Sequence, residues 1–259
     1  MYLYTLAGMD IIQVLILFLA GIAVAFINTV SAAGSLVSLS ALMFAGLSSV
    51  EANATNRIPI IFQSYFSAKG FESKGISGGN YKWWLAFACV PGAIIGAWLA
   101  IKIPAEIFNR ILLGVMLLFL LIAIYNPLKQ NAETEERISL KYKVVGVVLY
   151  FFVGIYGGFI QAGSGFFLML PALLLHRFNI HKTNYYKVFI TLIYSTAALG
   201  MFVWKGNINW YYGFIMSIGT SLGGWLTSRW SVHVNSSQMR LLIIALISFL
   251  TAYMWLYKM

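Results

Sequence analysis

The sequence predicts an all-α polytopic membrane protein of two inverted-topology repeats, each of five helical segments with a short half-helix second. Three observations carry this: the composition, a duplication within the chain, and the placement of its basic residues. Of the 259 residues 61% are hydrophobic and 9% charged, against a charged share of about a quarter in soluble domains. The apolar stretches read as helices, because a membrane strand would be about ten residues of alternating polarity and the sequence has no such run.

The duplication is read by counting. Gly21-Ile22-Ala23-Val24-Ala25-Phe26 matches Gly154-Ile155-Tyr156-Gly157-Gly158-Phe159, Ala33-Gly34 matches Ser164-Gly165, and Asn53 matches Asn184. Gly92-x-x-x-Gly96-Ala97-Trp98 answers Gly219-x-x-x-Gly223-Gly224-Trp225, Lys102 answers Arg229, and Arg110 answers Arg240. The offset stays between 127 and 133, as small loop insertions in an old duplication would leave it. The chain divides into a first membrane repeat (1–125), a charged linker (126–143) and a second repeat (144–259).

In the first copy the apolar segments cover residues 11–29, 35–47, 56–71, 83–101 and 107–125. In the second they cover 144–160, 166–178, 186–204, 210–228 and 238–257. The first run is preceded by Asp10 and lacks a basic leader, so no cleavable signal peptide is expected. The second segment of each copy, about thirteen residues, rises only about 20 Å against a hydrocarbon core of about 30 Å, and is expected to be a half-helix that re-enters or crosses in part. Three full spans follow in each copy. An odd number of crossings per copy inverts the second relative to the first.

The basic residues test the inversion. On the inverted arrangement 12 of the 17 Lys and Arg fall on one side, among them Lys69, Lys74, Lys82, Lys143, Lys182, Lys187 and Arg229. The other side receives Arg57, Lys102, Arg110, Lys205 and Lys258. A non-inverted arrangement would divide them 9 to 8. The positive-inside rule therefore favours inversion, a cytoplasmic linker and both termini on the periplasmic or extracellular side of the membrane. A net charge of +10 would suggest nucleic acid in a soluble protein. Here the charges sit in loops and orient the chain, so no nucleic-acid partner is expected.

Small residues four apart, Gly21 and Ala25, Gly92 and Gly96, Gly154 and Gly158, Gly219 and Gly223, are expected to let helices approach closely. Trp83, Trp84, Trp210, Tyr211 and Tyr212 open the fourth span of each copy and read as interfacial aromatics. Cys89 is the one cysteine and fills space in an apolar run.

Candidate binding residues cluster at the breaks before the half-helices: Asn28, Thr29, Ser31, Gly34 and Ser35 in one copy, Gln161, Gly163, Ser164 and Gly165 in the other. At the membrane midplane broken backbone is tolerated only where it lines a cavity or is buried in protein. The half-helix that follows points free amides and the positive end of its dipole there, which suits an anion. Two such breaks facing each other across the repeats would make one central site. The plainer alternative is that these residues permit a tight turn, with Ser31, Ser35 and Ser164 as helix caps.

The third span of each copy opens with amides and a cation: Asn53, Asn56 and Arg57, then Asn184 and Lys187. A cation at membrane depth costs about 2.5 to 3.5 kcal/mol on insertion scales, so a deep one calls for a functional partner. Arg57 reads equally as a deep anion ligand or as a snorkelling anchor, and Glu51 stands close enough to pair with it. Lys187, and with it His176 and His181, is expected at the cytoplasmic surface. None of the seven acidic residues lies inside an apolar span, which argues against proton coupling through side chains. Nothing calls for a cofactor or a metal.

A small-residue first helix, a Ser- and Gly-rich break, a half-helix and then Ala52-Asn53-Ala54-Thr55-Asn56-Arg57, repeated after a charged linker, resembles the TauE/SafE sulfite-exporter family of membrane permeases. The likeness covers nearly the whole chain. It implies a bacterial or archaeal inner-membrane carrier that exports small sulfur-containing anions such as sulfite or organosulfonates. The chain departs from the family's usual glycine cluster with Ser31-Ala32-Ala33-Gly34-Ser35, and has Ser40 where the second copy has Pro171.

Two other classes compete. Gly163-Ser164-Gly165 at a helix start suggests the nucleophile of an intramembrane serine hydrolase, which would need a histidine base at Ser164; His176, His181 and His233 all lie at or beyond span ends. A non-transporting membrane scaffold leaves the paired polar breaks unexplained.

Overall fold

Helices cover the expected apolar segments among the described residues, and one further helix, Ser49–Thr55, lies between two of them. The structure, a computed structural model, describes residues 11–31, 34–125 and 135–230. The first copy forms α1 (Ile11–Ser31), α2 (Gly34–Phe44), α3 (Ser49–Thr55), α4 (Arg57–Glu72), α5 (Tyr81–Lys102) and α6 (Ala105–Tyr125). The second forms α7 (Leu140–Phe159), α8 (Ser164–Leu170) with a π-helical turn at Pro171–Leu175, α9 (Ile180–Lys205) and α10 (Trp210–Trp230). The expected segment 238–257, with Arg240 and Lys258, lies outside the described residues, as do the side chain of Ser31 and residues 126–134 of the linker.

Four described helices are long and apolar enough to cross a membrane: Ile11–Thr29, Tyr81–Lys102, Leu140–Phe159 and Ile180–Lys205. Where half-helices were expected stand two shorter apolar helices, Gly34–Phe44 and Ser164–Leu175. Leu19, Trp84, Phe87, Phe152, Leu222 and Leu226 turn outward, as a lipid-facing surface requires.

Local chemistry explains the boundaries. Pro171 has no amide to return to the preceding turn, and the register widens: the His176 amide bonds the Pro171 carbonyl at 3.0 Å. Pro59 likewise leaves the Thr55 carbonyl without its amide partner, and α3 gives way to α4 at Asn56. Asn179 caps α9 by accepting the Lys182 amide at 2.8 Å. Gly163 holds φ +69° at the head of the second half-helix, a conformation that side chains resist.

The small residues decide which helices meet. α5 packs on α7 and α1 on α10, each pair joining a helix of the first half of the chain to one of the second. A Cβ on Gly92 would stand 2.9 Å from the Ile155 nitrogen, and one on Gly158 2.5 Å from the Ala93 Cα. On the other pair, a Cβ on Gly21 would stand 2.5 Å from the Met216 oxygen and one on Gly223 2.7 Å from the Ile22 oxygen. Backbone thus touches backbone, which is how helices associate when lipid is as apolar as leucine.

α4 and α9 run antiparallel: the Tyr185 hydroxyl bonds Glu72 at 2.9 Å at one end, and the Arg57 guanidinium lies 4.6 Å from the Phe202 ring centre at the other. The C-terminal end of α4 and the start of α9 therefore share one end of the bundle. Contacts of Tyr81 with Lys143 and of Lys182 with Glu136 bring the start of α5, the start of α7 and the end of the linker there too. Lys69, Lys74, Lys82, Lys143 and Lys182 are gathered at this basic end.

Candidate functional site

The two breaks touch. Ser35 Oγ, in the first turn of α2, accepts the Gly163 amide at 2.9 Å, and the Asn56 amide nitrogen donates to the Ser35 carbonyl at 3.4 Å. The hydroxyl therefore serves the opposite copy's backbone instead of capping its own helix.

On one side of this contact Arg57 is fully buried. Its guanidinium donates to the Gly157 carbonyl at 3.2 Å, to the Gly158 carbonyl, and to Gln161 Oε1 at 3.1 Å. Gly157 and Gly158 lie in the last turn of α7, whose carbonyls would otherwise be orphaned and carry the negative end of the helix dipole. Around them Asn53 donates to the Phe159 carbonyl and accepts the Gln161 amide. Gln161 also donates to the Tyr194 hydroxyl at 3.3 Å, and Tyr194 donates to Ser164 Oγ at 2.9 Å.

On the other side Lys187, only 3% exposed, does the same for α1. Its ammonium donates to the carbonyls of Asn28 at 2.7 Å and Thr29 at 3.2 Å, and to Asn184 Oδ1 at 3.1 Å. The Asn28 side chain donates to Gln63 at 3.1 Å. Arg57 thus caps the end of α7, and Lys187 the end of α1.

These contacts correct three expectations. Lys187 is not at the surface, because the end of α1 supplies it with three oxygens. Arg57 does not pair with Glu51: among the described residues its partners are carbonyls and Gln161, and no Asp or Glu is buried. His176 is buried rather than a plain loop residue. Its Nδ1 donates to the Arg137 carbonyl at 3.1 Å and its Nε2 faces the Tyr81 hydroxyl at 3.3 Å. Loss of solvent lowers its pKa, with the Arg137 carbonyl opposing and Lys182 assisting.

The cations do not converge on one point. Lys187 and the Arg57 partner Phe202 lie 15 residues apart on α9, roughly 22 Å of helix axis. They flank the touching breaks, one on each side. Between and beside them several buried polar atoms have no partner: Thr29 Oγ1, Asn56 Oδ1, Arg57 Nε, Gln63 Nε2 and Ser67 Oγ. Buried polar groups are normally hydrogen-bonded; of these atoms Arg57 Nε, Gln63 Nε2 and the Thr29 and Ser67 hydroxyls can donate to an anion, whereas Asn56 Oδ1 only accepts.

Sequence reasoning missed Gln63, Ser67, Tyr194 and Ser195. The signal was the duplication itself: the 131-residue offset that pairs Asn53 with Asn184 also pairs Gln63 with Tyr194 and Ser64 with Ser195. Among the described residues Ser164 has Tyr194 for its partner, while His176 bonds elsewhere.

Comparison with known proteins identifies the family of the chain. The sequence model of the family described as "Sulfite exporter TauE/SafE" matches residues 17–254. The chain is 25% identical over 247 residues to a "Probable membrane transporter protein" of Haemophilus influenzae, covering 95% of each. It is 27% identical over 239 residues to the "Probable membrane transporter protein YfcA" of Escherichia coli K12, covering 92% of this chain and 87% of that one. A third relative, "Probable membrane transporter protein ORF9" of a Sinorhizobium species, is 25% identical over 229 residues, 88% of this chain and 87% of that one. No solved structure gives a significant match.

Proposed function

The chain therefore belongs to the sulfite exporter TauE/SafE family, and on that premise we propose that it carries a small sulfur-containing oxyanion, such as sulfite or an organosulfonate, out across the cell inner membrane. The observation that carries this reading is the pair of buried cations, Arg57 and Lys187, each compensated by the carbonyl end of a helix and neither by a carboxylate. A helix end carries roughly half an elementary charge. Each cluster therefore keeps a positive surplus that an anion can satisfy.

The unmet hydrogen-bonding groups beside them supply the second half of the recognition. Gln63 Nε2, Ser67 Oγ and Thr29 Oγ1 stand on the Lys187 side, and Arg57 Nε on the other. An oxyanion presents acceptor oxygens in several directions and meets such donors without reorganising them. In this reading the two copies are inverted repeats, and the substrate passes the contact between Ser35 and Gly163 as they rock against each other.

The membrane potential supplies the driving force. Each charge crossing 100 mV gains about 2.3 kcal/mol, so an inside-negative potential favours outward movement of a monovalent anion roughly fifty-fold. No proton-carrying carboxylate is assigned. Purified protein in liposomes should move labelled sulfite, or a taurine-like sulfonate, faster than protein-free vesicles. Equal leak of sulfite, sulfate and sulfonates with and without protein would overturn the reading.

A further inference from the structure

α9 carries a polar face from the basic end of the bundle into its centre. His181, Asn184, Lys187, Thr191 and Tyr194 recur at intervals of three or four residues, one stripe of a helix. From Asn184 onward every one of them is buried. A buried polar stripe along a membrane helix is costly and marks a path for something polar.

The stripe begins in a cavity of about 500 Å³. Its walls are the loop after α4, the first turn of α9 and the last turn of α10, with Lys74, Ser77, Asn179, His181, Lys182 and Arg229 on its lining. Lys182 is already held by both oxygens of Glu136, at 2.8 and 2.6 Å. Among the described residues neither Lys74 nor Arg229 has a carboxylate partner. The cavity therefore keeps a positive surplus. Its size lies within the roughly 300 to 1,000 Å³ of small-molecule sites, and a concave surface lined by one sign of charge raises the local concentration of the opposite ion.

Position gives the surplus a use. From His181 to Lys187 is six residues, about 9 Å of helix axis. We propose that this cavity is a second oxyanion site, where a sulfite-, sulfonate- or phosphate-type group docks on Lys74 and Arg229 before passing along the polar face of α9 to Lys187. This rests on the reading that the protein carries an anion. Two sources can supply such a group: the free anion in solution, or the phosphate of an acidic lipid at the same end of the bundle.

The test is sulfite flux in phosphatidylcholine liposomes, with sulfite offered to one face at a time. The double variant Lys74→Gln/Arg229→Gln should raise the KM for sulfite about tenfold at the cavity face, leave it unchanged at the opposite face, and reach the same maximal rate at saturation. The wild-type KM should rise with ionic strength, and that of the variant should not. An unchanged KM at the cavity face, with wild-type flux intact, overturns the cavity proposal and leaves transport standing; no wild-type flux of any anion overturns the transport reading itself. An effect of the substitutions seen only after phosphatidylglycerol is added identifies a lipid phosphate as the occupant and overturns the docking role. Should the double variant not insert, the wild type decides: a KM for sulfite that is the same at roughly 20 and 200 mM salt overturns the proposal.

Discussion

The Ser35 hydroxyl accepts the Gly163 amide at 2.9 Å, joining positions 128 apart in the chain. This bond ties break to break directly, so the two short helices start from a shared point. Ser35→Ala leaves a buried amide unmet, at a cost of about 1 to 3 kcal/mol. We expect Ser35→Ala to lower the melting temperature and slow transport, and Ser35→Leu to abolish transport in protein that still inserts. Flux from Ser35→Leu at the wild-type rate would show that the contact has no part in the path.

Arg57 and Lys187 should behave alike. The sequence placed Lys187 at the surface, where neutralisation would be mild; its three buried acceptors make Lys187→Gln as damaging as Arg57→Gln. Each change leaves helix-end carbonyls unpaired and removes a charge. Arg57→Lys keeps the charge but not the planar fork that reaches Gly157, Gly158 and Gln161 together, and should retain part of the activity. A Lys187→Gln variant with full flux would return that residue to a purely structural role.

The glycine contacts predict which helix faces tolerate bulk. Gly92→Leu and Gly223→Leu force apart backbones that touch directly, and should sharply reduce folded protein in detergent. Gly114, with nothing within 4 Å of its would-be Cβ, should accept Leu with little change. Size-exclusion profiles of the three variants check this, and equal loss in all three would contradict it.

His176 gives stability a pH dependence. Its folded pKa lies below the unfolded value of about 6.5, so the neutral ring is favoured in the folded protein. Its contribution is full above that value and is lost as pH falls from there through the lowered folded pKa. The melting temperature of the wild type should fall below about pH 6.5, and His176→Gln should flatten that part of the profile. An unchanged slope in the variant would assign the effect to another group.

Much of the fold was legible because lipid leaves few options. Apolar stretches marked the helices, four of the described ones long and apolar enough to cross a membrane, and the glycine pairs named the faces that touch. The breaks were legible too, since Gly, Ser and Asn cannot be spaced so in an ordinary span. The depth of Lys187 was not, because its partners are the backbone carbonyls of Asn28 and Thr29, some 159 positions away, and a carbonyl has no signature in sequence. His176 was misplaced for the same reason: the Arg137 carbonyl that holds it could be any residue's.

Sidedness is open to labelling. Ser77 lines the cavity at the basic end, and Asn207 lies in the turn between α9 and α10 at the opposite one. In intact cells an impermeant thiol reagent should spare a cysteine at Ser77 and modify one at Asn207. Cys89 is buried and gives little background. The reverse pattern would put the basic end outside and overturn the assigned orientation.

The most direct measurement is sulfite flux in proteoliposomes under an imposed potential, with the wild type beside Arg57→Gln and Lys187→Gln at matched folded protein. The account predicts wild-type flux that accelerates with a potential negative on the sulfite side, and a loss of tenfold or more in each variant, about 1.4 kcal/mol or greater. Wild-type and variant fluxes that are equal and indifferent to the potential would contradict it.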